Sequence, residues 1–140
     1  MGYPGLVTNT AKNISGVESE CNLQNNLIGS KGIILTLNVT ATANVIGDTL
    51  DVYVQQKING NWDDLTHFTQ VLGNGGAKTE IAVLNFNENV TADFHNLSDA
   101  AMNAATLRKG PITGILREKH VIAGGVAKSF TYTIDIEILK

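Results

Sequence analysis

The chain has 140 residues, a mass of 14.9 kDa and a formal net charge of −3. This length predicts one domain that buries a core without help from metals or disulfides. Charged residues make up only 16% of the chain, and its ten lysines and arginines are dispersed, which argues against nucleic acid or an acidic membrane as a partner. A single cysteine excludes an internal disulfide and a four-thiolate zinc site. We expect no cofactor and no metal.

The first twenty residues carry apolar side chains at no regular spacing. We therefore predict an irregular N-terminal arm over residues 1–20, followed by a single domain over residues 21–140. The segment is nevertheless more apolar than a purely solvated tail, since it contains Tyr3, Leu6, Val7 and Ile14. We expect these four residues to order against a neighbouring subunit or against another protein of an assembly, and to form an assembly interface.

The next part of the chain alternates between apolar and polar residues with a period of two. Such alternation predicts half-buried strands over residues 32–40 and 49–57. Asn59, Gly60 and Asn61 follow, and this combination favours a tight hairpin turn. The strand predicted over residues 62–72 alternates imperfectly at Asp63 and Asp64, which suggests a β-bulge.

The second half of the chain predicts three more strands and one helix. Strands are expected over residues 77–86, 112–124 and 129–139, the last with the clearest alternation. The connection over residues 87–110 contains an Ala-rich stretch, Ser98 to Leu107, that predicts a short helix. The expected fold is an all-β antiparallel sandwich or barrel of about six to eight strands. Its predicted core includes Leu35, Leu37, Leu50, Val52, Val54, Ile134 and Ile136.

Residues that carry chemistry form no recognised catalytic or metal motif. Two sets contain carboxylates and a histidine: Asp63, Asp64 and His67, and then Asp93, His95 and Asp99. Neither set has a known ligand spacing, so we interpret them as solvated carboxylates and surface or cross-strand histidines. No serine lies in a nucleophile-elbow context, and we assign no catalytic residue.

Trp62 has two interpretations. Exposed at the rim of a loop, its indole would stack on a sugar or a partner; at the start of a strand, it would close one end of the sandwich. The second interpretation is favoured because Phe68 follows at an even spacing, which predicts the same strand face.

The order of motifs between Lys31 and Val71 resembles small virion proteins of tailed bacteriophages and prophages. The residues that carry the resemblance are Leu37, Val39, Thr40 and Ala41, then Thr49, Leu50, Asp51, Val52, Val54 and Gln55, then Gly60, Trp62, Asp64 and Leu65, then Phe68, Gln70 and Val71. The C-terminal part is similar to the closing hairpin of that family, with Arg117, a turn at Gly124 and Gly125, and a strand from Ser129 to Tyr132.

The resemblance implies a non-enzymatic structural protein, foremost a decoration (cement) protein that binds and stabilises the outer head surface. Its implied partners are the major capsid protein and further copies of itself, with a trimer favoured. Its implied location is the capsid surface, after synthesis in the host cytoplasm. Two alternatives are a tail or head–tail connector component and a carbohydrate-binding module that stacks sugars on Trp62 and Tyr53.

Overall fold

The computed structural model describes residues 2–18, 20–86, 94–108, 112–125 and 128–140, and for residues 2–5 the backbone alone. Within these ranges the chain forms eleven β-strands and no helix. The seven strands of seven or more residues are β1 (Gly2–Lys12), β4 (Gly32–Ala41), β5 (Thr49–Ile58), β6 (Asn61–His67), β8 (Lys78–Asn85), β10 (Ile115–Ala123) and β11 (Phe130–Leu139). The four two-residue strands are β2 (Gly16–Val17), β3 (Cys21–Asn22), β7 (Val71–Leu72) and β9 (Thr106–Leu107).

Two antiparallel sheets enclose the core. The four-stranded sheet has the order β1-β11-β4-β8, and the seven-stranded sheet has the order β2-β10-β5-β6-β9, with β3 paired to β10 and β7 to β5. The prediction of an all-β antiparallel fold is confirmed, and the two sheets do not close into a barrel. None of the described residues forms a helix long and apolar enough to cross a membrane.

The core follows the alternation of the long strands. Successive side chains of a strand point to opposite sides of the sheet, so every second residue of a long strand faces the core and is buried. The seven predicted core residues are each at most 1% exposed, which confirms the predicted register of β4, β5 and β11. Phe130, Tyr132 and Phe68 add the large aromatic volume between the sheets.

The predicted hairpin turn joins β5 to β6. Asn59 has φ 49° and Gly60 has φ 79°, so both central residues are left-handed, as a turn that matches the strand twist requires. The predicted bulge is also present, because the pairing of β5 with β6 shifts register between Val54 and Gln55. This shift changes which side chains of β6 face outward.

The expectation of an irregular arm is wrong for Gly2–Lys12, which form β1 and pair with β11. The pairing shifts register between Tyr3 and Val7 and again between Val7 and Thr10. Such bulges place the adjacent residues Leu6 and Val7 both in the core, so the strand shows no period of two. The boundary drawn at residue 20 falls between β2 and β3, both of which pair with β10.

The short helix predicted over Ser98–Leu107 is absent; these residues form turns, extended chain and β9. Ala100 and Ala105 have φ 57° and 58°, which interrupts any right-handed helical run. The backbone N–H groups of this stretch are bound by side-chain carboxylates of β6, so carbonyls one helical turn away do not compete for them.

Candidate functional site

Residues 94–108, which we call the strap, lie over the outer face of the seven-stranded sheet. The strap contains β9, which pairs with Thr66 and His67 at the end of β6. Beneath it, neighbouring strands present Gln55 on β5, Asp64 on β6 and Arg117 on β10 in matching register. This surface gathers most of the charged and aromatic residues that the sequence singled out.

Asp64 is the anchor of the strap. Its carboxylate is fully buried and accepts hydrogen bonds from the backbone N–H groups of Ala100, Ala101 and Met102, at 2.9, 2.9 and 3.0 Å. It also accepts one from the Ser98 hydroxyl and one from the Gln55 amide, both at 2.8 Å. Because the carboxylate is charged, these bonds are stronger than bonds between neutral groups.

Asp63 holds the two ends of the strap. One carboxylate oxygen accepts a hydrogen bond from the backbone N–H of Ser98, and the other lies 2.9 Å from Nε2 of His95. Arg108 approaches the second oxygen at 3.5 Å and donates to the carbonyl of Asp64 at 2.9 Å. The Asp63 side chain is fully buried, so these contacts compensate for the loss of hydration of its carboxylate.

Gln55 links the strap to β10. Its amide nitrogen donates to Asp64 and, at 2.7 Å, to Asp99 of the strap, while its amide oxygen accepts from Nε of Arg117 at 2.8 Å. Lys119 adds an ion pair to Asp99 at 2.9 Å. Gln55 is fully buried although it lies on the polar face of β5, because the strap covers it.

Trp62 lies on this outer face, half-buried, with the Arg117 guanidinium 4.4 Å from its ring centroid and Lys57 at 5.7 Å. The interpretation of Trp62 as a plug for the core is therefore wrong. The bulge in β6 separates the two aromatics that even spacing placed on one face: Phe68 is in the core, 2% exposed, and Trp62 is outside it.

His67 is held in a stack on the same face. Its ring stacks on Tyr53 at a centroid distance of 3.9 Å, Nε2 lies 2.9 Å from Asp51, and Nδ1 lies 2.7 Å from the carbonyl oxygen of Met102 in the strap. Tyr53 is only 6% exposed, so its ring is covered by the protein itself and does not form an open platform for a sugar. Burial, together with the charges of Asp51 and Asp64, raises the pKa of Tyr53.

The hydrogen bonds favour the ionised form of both acidic residues in contact with Gln55. Burial alone would raise the pKa of Asp64, but the bonds from Gln55 and from the strap N–H groups outweigh it and lower that pKa. Burial also opposes ionisation of Asp99, whose pKa is lowered by the bond from Gln55 and by Lys119 and Arg117. The arrangement therefore stabilises the two carboxylates that join the strap to the sheet, Asp64 on β6 and Asp99 in the strap.

The two carboxylate–histidine sets do not converge on a metal. His67 contacts Asp51 instead of Asp63 or Asp64, and His95 contacts Asp63. Asp93 lies outside the described residues. In the part of the chain that the structure describes, no group of three or more histidine, cysteine, aspartate or glutamate side chains has the arrangement of a metal site. The interpretation as solvated carboxylates is wrong for Asp63 and Asp64, which are fully buried.

The predicted interface residues are spread over two environments. Leu6 and Val7 are 4% and 3% exposed within the chain's own core, and Ile14 is 72% exposed between β1 and β2. Tyr3 pairs with Ile136 through its backbone, and its side chain is outside the description. A role of these four residues in assembly stays a prediction.

A second polar cluster lies between the sheets. The Glu118 carboxylate is fully buried, accepts a hydrogen bond from the Tyr132 hydroxyl at 2.5 Å and lies 2.8 Å from Nδ1 of His120. Burial and the neighbouring Glu118 charge raise the pKa of Tyr132 far above its ordinary value. Each polar group has a partner, so the cluster is compatible with a packed core.

Sequence reasoning missed Gln55, Ser98 and Arg108 as members of the strap contacts. Gln55 alternates with apolar residues and was indistinguishable from a solvated position on the outer face of β5. The usable signal was the pair Asp63-Asp64, two adjacent carboxylates that interrupt the alternation of a predicted strand. Their partners in the strap lie 32 or more residues away and have no local signature.

Comparisons of the chain with family models, with curated proteins and with solved structures found no match in any of the three.

Proposed function

We propose that this chain is a non-enzymatic structural protein of a tailed-phage virion, and within the virion a decoration protein of the outer head surface. One observation carries the proposal. Four residues of the sequence resemblance, Gln55, Trp62, Asp64 and Arg117, come from three separate motifs and form one contact network on the outer face of the seven-stranded sheet. These residues of the resemblance thus have a structural role, because they hold the strap against the sheet.

The chemistry of the site serves binding within the chain. The carboxylates of Asp63 and Asp64 are each occupied by hydrogen bonds from the strap, and the ring nitrogens of His67 face Asp51 and Met102. Groups held in this way stabilise a surface loop against a sheet. A rigid loop on a rigid sheet suits a protein whose task is to present a fixed surface to a shell.

The exterior of the four-stranded sheet supports docking to protein. The outward positions of β4 and β8 include Thr36, Asn38, Thr79, Ile81 and Val83, all uncharged. The part of this sheet formed by β4 and β8 is neutral and of mixed polarity, like the surfaces that proteins use to bind each other, whereas β11 adds the exposed carboxylates Asp135 and Glu137. Neither part offers a cluster of cations for nucleic acid. In this proposal the chain binds the major capsid protein and further copies of itself.

The test is fractionation of particles from a phage that encodes this chain. Purified virions are separated into heads and tails, and each fraction is analysed by mass spectrometry. The proposal predicts the chain in the head fraction and its rebinding to heads stripped of it. If the chain is recovered only with tails, it is a tail or connector component and not a decoration protein. If it is absent from both fractions, the whole proposal is overturned.

The alternative of a carbohydrate-binding module is tested separately, by binding to a glycan array. Because Arg117 lies over Trp62 and His67 covers Tyr53, we expect no specific signal on a glycan array. Sugar binding that disappears in Trp62→Ala, with unfolding unchanged, would contradict this expectation.

A further inference from the structure

Strand β8 is a long edge strand that, among the residues the structure describes, pairs on one side only. It forms the end of the four-stranded sheet and pairs with β4 in unbroken register from Gly32 and Asn85 to Val39 and Lys78. At an edge strand, alternate backbone N–H and C=O groups point away from the sheet and are available to another strand. Beside this edge lies a cleft of about 200 Å³ lined in part by Phe68, Ala82 and Leu107, so the edge is reachable.

The other described edges carry features that hinder pairing. At the opposite end of the same sheet, β1 contains Pro4 and two register shifts. Proline removes a backbone donor, and bulges twist an edge away from a regular partner. The outer strands of the seven-stranded sheet, β2 and β9, are two residues long. Among the described edges, β8 therefore combines length with regular geometry.

The outward face of β8 is apolar where a strand of this kind would usually be charged. Ile81 and Val83 are 60% and 51% exposed, while the alternating Ala82 and Leu84 are buried. Ile34 lies opposite Val83 on β4 and extends the apolar surface. Exposed apolar side chains on a regular edge are typical of a strand that pairs with another chain.

We infer that β8 pairs antiparallel with β8 of a second copy of this chain, around a two-fold axis through Ala82. The strand is self-complementary in this register. Ile81 lies opposite Val83 of the partner subunit, and by symmetry Val83 lies opposite Ile81 of the partner subunit. Both pairs join branched apolar side chains, which stabilise neighbouring strands. An interface with two-fold symmetry requires such self-complementarity.

Charge favours the same register. A pair centred on Glu80 places that carboxylate opposite its own copy, which is destabilising. The register centred on Ala82 instead places Glu80 opposite Leu84 of the partner subunit and keeps like charges apart. The result is a continuous eight-stranded sheet, twice the four-stranded sheet of one chain. The inference does not rest on a virion role, and it predicts a dimer where the resemblance implies a trimer.

The first test is the mass of the full chain in solution, measured by sedimentation over a dilution series. We expect twice 14.9 kDa. Ile81→Lys and Val83→Lys should each weaken the dimer by at least about tenfold in Kd, since the two-fold axis makes each substitution act twice. Ile46→Lys is the control, because Ile46 is 83% exposed in the turn before β5, and it should leave the dimer unchanged.

The second test fixes the register. Ala82→Cys in a Cys21→Ser background should form a disulfide-linked dimer on oxidation, because opposed residues lie about 4.5–5.5 Å apart between Cα atoms. Thr79→Cys is the control and should not cross-link, since its own copy lies several residues away along the strand. Thermal unfolding checks that each variant folds. A monomer at every concentration, a trimer insensitive to both lysine variants, or a dimer without the Ala82→Cys cross-link would overturn the inference.

Discussion

Removing the carboxylate of Asp64 should release the strap and destabilise the fold. In Asp64→Ala, the Gln55 amide loses its bond to Asp64 beneath the strap, and the Ser98 hydroxyl and three backbone N–H groups lose their acceptor. A buried donor left without a partner costs about 1–3 kcal/mol. The strap groups recover part of this cost by moving into water, whereas Gln55 is held in the sheet.

We therefore expect a loss of about 3–5 kcal/mol in the free energy of unfolding, because each hydrogen bond to a charged group contributes about 1.5–3 kcal/mol and the strap groups recover part of the loss in water. The measurement is urea denaturation followed by the fluorescence of Trp62, the single tryptophan, which lies against Arg117 at this site. Hydrogen exchange should show faster exchange at Ala100, Ala101 and Met102. Asp64→Asn keeps the shape but replaces one acceptor oxygen by a donor, and we expect an intermediate loss.

Asp135→Ala is the matched control, because Asp135 is an exposed carboxylate on β11 and its removal should change stability by less than about 0.5 kcal/mol. If Asp64→Ala unfolds at the same urea concentration as this control, with unchanged exchange in the strap, the carboxylate is not the anchor and the reasoning is refuted.

Further predictions concern pH, the core, β1 and the buried tyrosine. The pKa of Asp64 is lower in the folded protein than in the unfolded chain, so the ionised carboxylate stabilises the fold at pH values above the ordinary aspartate pKa of about 3.9. This stabilisation is lost as the pH falls through the folded pKa, and Asp64→Asn should reduce the acid dependence of the urea midpoint. Leu50→Ala, at a fully buried site, should cost about 2–5 kcal/mol in the same assay, and an unchanged midpoint would contradict the assigned core. Deleting residues 2–12 should lower the melting temperature strongly, because Leu6 and Val7 leave the core; retention of the full melting temperature would show that β1 is dispensable. In an absorbance titration at alkaline pH, Tyr132 should ionise only as the protein unfolds, and an ionisation of all three tyrosines in the folded state would disprove its burial against Glu118.

Local patterns determined most strands and the main turn. Strands β4, β5 and β11 alternate with a period of two because one face meets the core, and this arrangement is visible in any short window of sequence. Asn59 and Gly60 adopt positive φ because these residue types tolerate it, and the turn joins strands that are adjacent in the chain. The buried face of each of these three strands follows from the same pattern.

Contacts between distant residues determined β1 and the strap. Strand β1 is recognisable only through its pairing with β11, since its bulges remove the period of two that marks a strand. The Ala-rich strap has local helical propensity, yet the buried carboxylate of Asp64 binds its N–H groups and holds it extended. Propensity differs among residues by a few tenths of a kcal/mol, whereas each charged hydrogen bond contributes about 1.5–3 kcal/mol, so the tertiary contact prevails.

The site itself also depends on tertiary structure. Gln55 and Arg117 are 62 residues apart in sequence and meet only because β5 and β10 are neighbours in the sheet. The bulge in β6 then decides that Trp62 and Asp64 face outward with them while Phe68 enters the core. The sequence alone singled out Trp62 and Asp64 as unusual, whereas strand order and one register shift determined what each residue of the site contacts.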